Sequence, residues 1–172
     1  MKGVCAFKDK QNPDVLNVDE CRYILDANDK YLQSWAYWDS FFYHEDTQQV
    51  NDQLIEIFSR VYPRKTNGIP KNLYYNTSSR VFEYHFALNS NNESKAGDLA
   101  TEIFIPSHAY PYGFQVELTP NLQWAFDKEE SVLIIRRILP EFDLFNINFK
   151  KSAYLSDCTV LVYSVIELTY FT

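Results

Sequence analysis

The hydrophobic period of the chain changes near residue 62, and that change divides it into two parts with different architectures. Before it, strand-like and helix-like patterns alternate. "GVCAF" reads as a short apolar strand and "YLQSWAYW" as the next, with helices between and after them. Asn17 with Glu20 three residues on forms a capping-box start to a helix in which Val18, Cys21, Ile24 and Leu25 share a face. Asp46 with Gln49 opens a second, where Val50, Leu54, Ile55 and Phe58 recur at helical spacing until Pro63 ends it. A β-α-β-α order of this kind belongs to a parallel sheet or a barrel. From about residue 72 the period becomes two. In "RVFEYHFAL" Phe82, Tyr84, Phe86 and Leu88 point one way, against Glu83 and His85. "FQVEL" repeats the alternation, and "TEIFIP", "LQWAF" and "SVLIIRR" are further short strands separated by turn residues. Such spacing predicts an antiparallel sandwich.

Two βα units cannot close a barrel, and alone they leave strand edges and helix-facing surface uncovered. Self-association of the chain follows as an expectation. At 172 residues with 46% hydrophobic content there is ample core material, and the formal charge of −7 excludes the concentrated basic face of a nucleic-acid binder. Cys5, Cys21 and Cys158 are spaced too widely for a zinc knuckle or a CxxC pair and read as free thiols. His44, His85 and His108 show no metal-ligand spacing, and His85 is expected to face solvent. No phosphate-cradling glycine loop is present, so neither a metal nor a nucleotide cofactor is expected. The start "MKGVCAFKDKQ" lacks the apolar core of a signal peptide, and no apolar run reaches the length of a membrane span.

The stretch "QSWAYWDS", then "VYPRKTNGIP", then "TEIFIPSHAYPYGFQVEL" resembles, in order and spacing, the closing portion of endoglycoceramidase-like enzymes of glycoside hydrolase family 5. The resemblance covers roughly residues 1 to 137 and fades beyond Arg137. It implies a mixed fold: the truncated end of a (β/α)8 TIM barrel over residues 1–61, a C-terminal β-sandwich over 62–137 and a divergent tail over 138–172. It also implies a retaining glycosidase that cleaves between the sugar and the ceramide of glycosphingolipids or another β-glycoside. Partners implied for the complete enzyme are that glycolipid and a membrane surface, and the parent fits a secreted or lysosomal setting.

Retaining hydrolysis needs two carboxyl groups roughly 5 Å apart. The family's nucleophile is the Glu of a Thr-Glu-Phe-Gly-Ala motif, and superposing the Ala on Ala6 puts Gly3 in its place. The acid/base Glu of the family belongs to a strand upstream of Met1, so the chain is expected to lack both catalytic carboxylates. Asp9, Asp14, Asp39, Glu45 and Asp46 show no spacing that replaces them. From pattern alone Trp35 reads as a packing residue; by resemblance it is the floor beneath the sugar, since an aromatic face suits the C–H plane of a pyranose. Tyr37 alternates with it, and Gln33 and Asp39 serve either as partners of sugar hydroxyls or as loop caps. Arg60 and Arg64 are expected to bridge the two parts, and Glu102 to serve structural pairing. The competing reading is a carbohydrate- or lipid-binding sandwich module without catalysis.

Overall fold

A computed structural model describes residues 7–8, 11, 16–37, 42–43, 47–88, 100–138 and 157–164. In chain order the elements are β1 (Phe7–Lys8), β2 (Leu16–Asn17), α1 (Asp19–Lys30) and α2 (Asp52–Phe58). Eight further strands follow: β3 (Tyr62–Lys65), β4 (Gly68–Asn76), β5 (Val81–Leu88), β6 (Thr101–Phe104), β7 (Phe114–Leu118), β8 (Leu122–Asp127), β9 (Val132–Arg137) and β10 (Asp157–Ser164).

The eight strands after residue 61 make two four-stranded sheets, ordered β4-β5-β10-β7 and β3-β6-β9-β8, with every pairing antiparallel. Alternation in β5 turns Phe82, Tyr84, Phe86 and Leu88 inward, as its period of two requires. They meet Val160 and Val162 of β10 and, from the facing sheet, Ile103, Leu133 and Ile135. The sandwich is therefore present as expected, but it is completed from an unexpected quarter. Residues 157–164, assigned by sequence to a tail outside it, lie between β5 and β7, pairing Val160 with Tyr84 on one side and Leu118 on the other.

The part before residue 62 differs from the expected β-α-β-α run. α1 and α2 form, and bury Cys21, Leu25, Leu54 and Ile57 against each other in a second small core. Asn51 rather than Asp46 caps α2, its side chain accepting from the Gln53 N–H at 3.1 Å. Parallel barrel strands are not seen among the described residues: β1 and β2 pair antiparallel, and residues 31–37 run without regular structure. A strand needs neighbours for its backbone groups, and none pairs with the 31–37 run among the described residues. Trp35 and Tyr37 both pack on Phe58, with centroids 5.5 and 4.5 Å apart.

Three single-residue expectations change as well. Cys21 is disulfide-bonded rather than a free thiol. His85 is half-buried, held by Glu83 Oε1 at 2.6 Å from Nε2 and by Thr159 Oγ1 at 3.1 Å from Nδ1, because the adjacent strand β10 covers that face. Arg64 pairs at the surface with Glu102 and Glu130 of the sandwich, so of the two arginines Arg60 is the one seen to span the parts.

Candidate functional site

A cleft of about 700 Å3 opens where the C-terminal end of α1 and the loop after it meet strands β3 to β5. The loop is set by the end of α1. Leu32 N–H donates to Asp29 O at 3.0 Å and Gln33 N–H to Asn28 O at 2.8 Å, the paired bonds of a Schellman stop. Leu32 occupies the left-handed position at φ 53°, where glycine is usual. The reversal carries Gln33, Ser34 and Trp35 onto one rim of the cleft. Trp35 packs tilted on Phe58 and stays partly open to solvent at 39% exposure. Gln33 is exposed, and its side-chain amide donates to Tyr31 O at 3.1 Å.

The opposite wall comes from the sandwich. Tyr62 and Pro63 of β3, Pro70 and Leu73 of β4 and Tyr84 of β5 line it. The Tyr84 hydroxyl lies 2.6 Å from Thr66 Oγ1, and burial pushes its pKa above the usual tyrosine value.

The floor is ionic. Arg60, buried at the junction of α2 and β3, donates from Nε to Asp29 Oδ2 at 2.9 Å and from Nη2 to Asp29 Oδ2, Asp26 Oδ1 and Tyr75 O at 2.6, 2.8 and 2.9 Å. Its Cζ stands 5.2 Å from the Tyr75 ring centroid. Burial raises the Asp29 pKa above the ordinary carboxylate range, the neighbouring guanidinium pulling it back. Among the described residues that line the cleft, Asp29 is the one carboxylate, and Arg60 occupies it. No described group of His, Cys, Asp and Glu is arranged to hold a metal ion.

Of the site residues expected from sequence, Trp35 and Gln33 lie together on the rim, while Tyr37 does not line the cleft and packs against Phe58 and Phe42. Gly3, Trp38, Asp39, Asp9, Asp14, His44, Glu45 and Asp46 lie outside the described residues. The sandwich wall was missed from sequence, because Tyr62, Pro70, Leu73 and Tyr84 converge only through tertiary packing. Arg60 carried a usable signal: a lone charge between the apolar end of α2 and the buried Val61 must find an ion partner.

Residues 60–141 match the model of the glycoside hydrolase family 5 C-terminal domain. Two crystal structures of sterylglucosidase 1 from Cryptococcus neoformans, one with tris and one with a compound called hit 9, share the fold. Their TM-scores are 0.65 and 0.62 at 14% identity, over 84% of this chain in both cases. The alignments span 23% and 24% of those chains, so this chain corresponds to about a quarter of their length. No curated protein matches its sequence.

Proposed function

We propose that this chain is the C-terminal portion of a retaining glycosidase whose substrate is a sugar joined to a lipid, and that it binds such a substrate without cleaving it. The order of motifs favours the sugar–ceramide bond of glycosphingolipids, and the name of the sterylglucosidase neighbours supports widening the lipid to a sterol. In the complete enzyme residues 1–61 supply the last two βα units of the barrel, and the sandwich braces them.

The observation that carries this reading is the convergence of Trp35 and Gln33 on the rim of an aromatic cleft that abuts the domain matching family 5. Trp35 offers a ring face to the C–H plane of a sugar, and Gln33 and Ser34 offer donors and acceptors to its hydroxyls. Catalytic incompleteness rests on Gly3 at the nucleophile position and on the commitment of Asp29 to Arg60. A carboxylate held in a buried ion pair is not free to attack an anomeric carbon, and Asp26, the acid beside it, is held by the same Arg60 Nη2. The disulfide at Cys21 supports an oxidising compartment for the parent enzyme.

The test is to mix the purified chain with fluorescent glucosylceramide and with a fluorescent steryl glucoside. Retention of intact ligand, lost in Trp35→Ala, is expected. Release of free sugar contradicts the non-catalytic part, and retention unchanged in Trp35→Ala contradicts the platform role of the indole.

A further inference from the structure

We infer that Asn76 is an N-glycosylation site and that the exposed ring of Tyr74 is the surface on which its first sugar lies. The inference is independent of the substrate reading above. Asn76-Thr77-Ser78 is an acceptor sequence for N-linked glycans, with no proline at its middle position. Such a tripeptide carries weight only where the chain passes through a secretory compartment and the fold leaves the bulky product in solvent. Two observations meet those conditions. Cys21 is disulfide-bonded, and such bonds form in the oxidising compartments where this modification is made. Asn76 closes β4 at the mouth of its hairpin with β5, paired with Val81, and residues 77–80 form the turn, with Ser78 and Ser79 exposed.

The amide itself is set for the role. Its Oδ1 accepts from the Ser78 N–H at 3.0 Å and the Ser79 N–H at 2.8 Å, which fixes the side chain and occupies the carbonyl. Nδ2 donates to the Tyr74 hydroxyl at 3.2 Å in a contact open to solvent, and its second hydrogen is left for replacement. Tyr74 stands two residues earlier on the same face of β4, 43% exposed, as strand alternation requires. Its ring flanks the atom that takes the sugar, and an aromatic face suits the C–H plane of a pyranose. In the transfer, Nδ2 bonds to the anomeric carbon of an oligosaccharide carried on a polyprenyl diphosphate. The glycosyl–phosphate bond breaks, the lipid diphosphate leaves with the bonding pair, and a base of the transferase takes the amide proton. A second acceptor sequence, Asn92-Glu93-Ser94, lies outside the described residues.

Secretion of the full chain from eukaryotic cells behind an added signal sequence tests the assignment, read by peptide mass after an endoglycosidase has trimmed each glycan to its first N-acetylglucosamine. The Asn76 peptide is expected to carry that sugar in the wild type and in Asn92→Gln. It is expected to lose it in Ser78→Ala, which removes the acceptor hydroxyl and keeps the backbone N–H that holds Asn76 Oδ1. An unmodified Asn76 in secreted chain whose Cys21 disulfide has formed overturns the inference. The role of the ring is read separately by thermal melting. Trimmed wild type is expected to melt at a higher temperature than Ser78→Ala. Tyr74→Phe keeps that difference and Tyr74→Ala loses it, each measured with and without the Ser78→Ala change. A difference absent from the wild type, or undiminished in a folded Tyr74→Ala, contradicts the part played by Tyr74.

Discussion

Arg60 and Asp29 meet at 2.6 Å across 31 residues of sequence, and through that contact α1 is tied to the sandwich. Both side chains are nearly sealed from water, at 3% and 10% exposure, and the guanidinium also bonds the Tyr75 carbonyl of β4. Removing one partner of such a pair strands the other in a site of low polarity. Arg60→Ala is therefore expected to cost about 3–5 kcal/mol. Urea unfolding gives the value. Arg60→Lys keeps the charge but loses the planar fork that reaches Asp29, Asp26 and Tyr75 together, so it should recover only part of the loss.

The same pair sets a pH dependence. Burial holds the Asp29 carboxyl above its usual 3.8, with Arg60 opposing that rise and Asp26 adding to it. A folded-state pKa above the unfolded one means that the folded chain takes up the proton first. The contribution of this group is then fully present below 3.8 and is lost as pH rises through the elevated value. Wild type should thus gain stability relative to Asp29→Asn as pH falls from about 7 to about 4. Paired urea midpoints across that range check it, and a relative gain in the opposite direction contradicts it.

Gly68 begins β4 at φ +144°, and a Cβ placed there would lie 2.0 Å from the backbone oxygen of Ala87 on β5. Gly68→Ala must either break the Gly68–Leu88 register or push the strands apart. A loss of more than about 2 kcal/mol is expected in the melting or urea midpoint, since backbone strain and steric displacement act together.

Strand β10 fills the middle of its sheet, with Val160 and Val162 wholly buried. Val160→Asp is expected to abolish cooperative unfolding, because a carboxylate there has no ionic partner in the core. A folded, soluble Val160→Asp chain would show that the sandwich stands without this strand.

Much of the sandwich was legible because alternation leaves a mark in local sequence. Phe82, Tyr84 and Phe86 against Glu83 and His85 specify a strand and its inner face. The apolar run of β10 is of strand length, but nothing in it marks the strand as a member of the sheet. Its partners Tyr84 and Leu118 lie far back along the chain, and pairing at that separation leaves no periodic signal. The run 31–37 misled for a different reason. Aromatic content favours a strand only where neighbouring strands accept the backbone, and here Trp35 and Tyr37 pack on Phe58 while Tyr31 stays exposed. In the candidate site the rim residues Gln33 and Trp35 were readable, whereas Tyr62, Pro70 and Tyr84 were assembled by the tertiary fold.

The cysteines offer a chemical check. Cys21 is disulfide-bonded, while Cys158 is a buried thiol whose pKa burial raises. Of three cysteines, two joined in one bond leave one. Alkylation of the denatured chain followed by intact mass should show one modified thiol before reduction and three after it. Three modified thiols without reduction contradict the bond.

Photolabelling tests the central claim most directly. Glucosylceramide with a diazirine in its acyl chain, irradiated with the full chain and mapped by peptide mass, should mark peptides that carry Phe58, Tyr62 or Leu73, which line the cleft. Label confined to the opposite flank of the sandwich, around the exposed Tyr112 and Trp124, would contradict it.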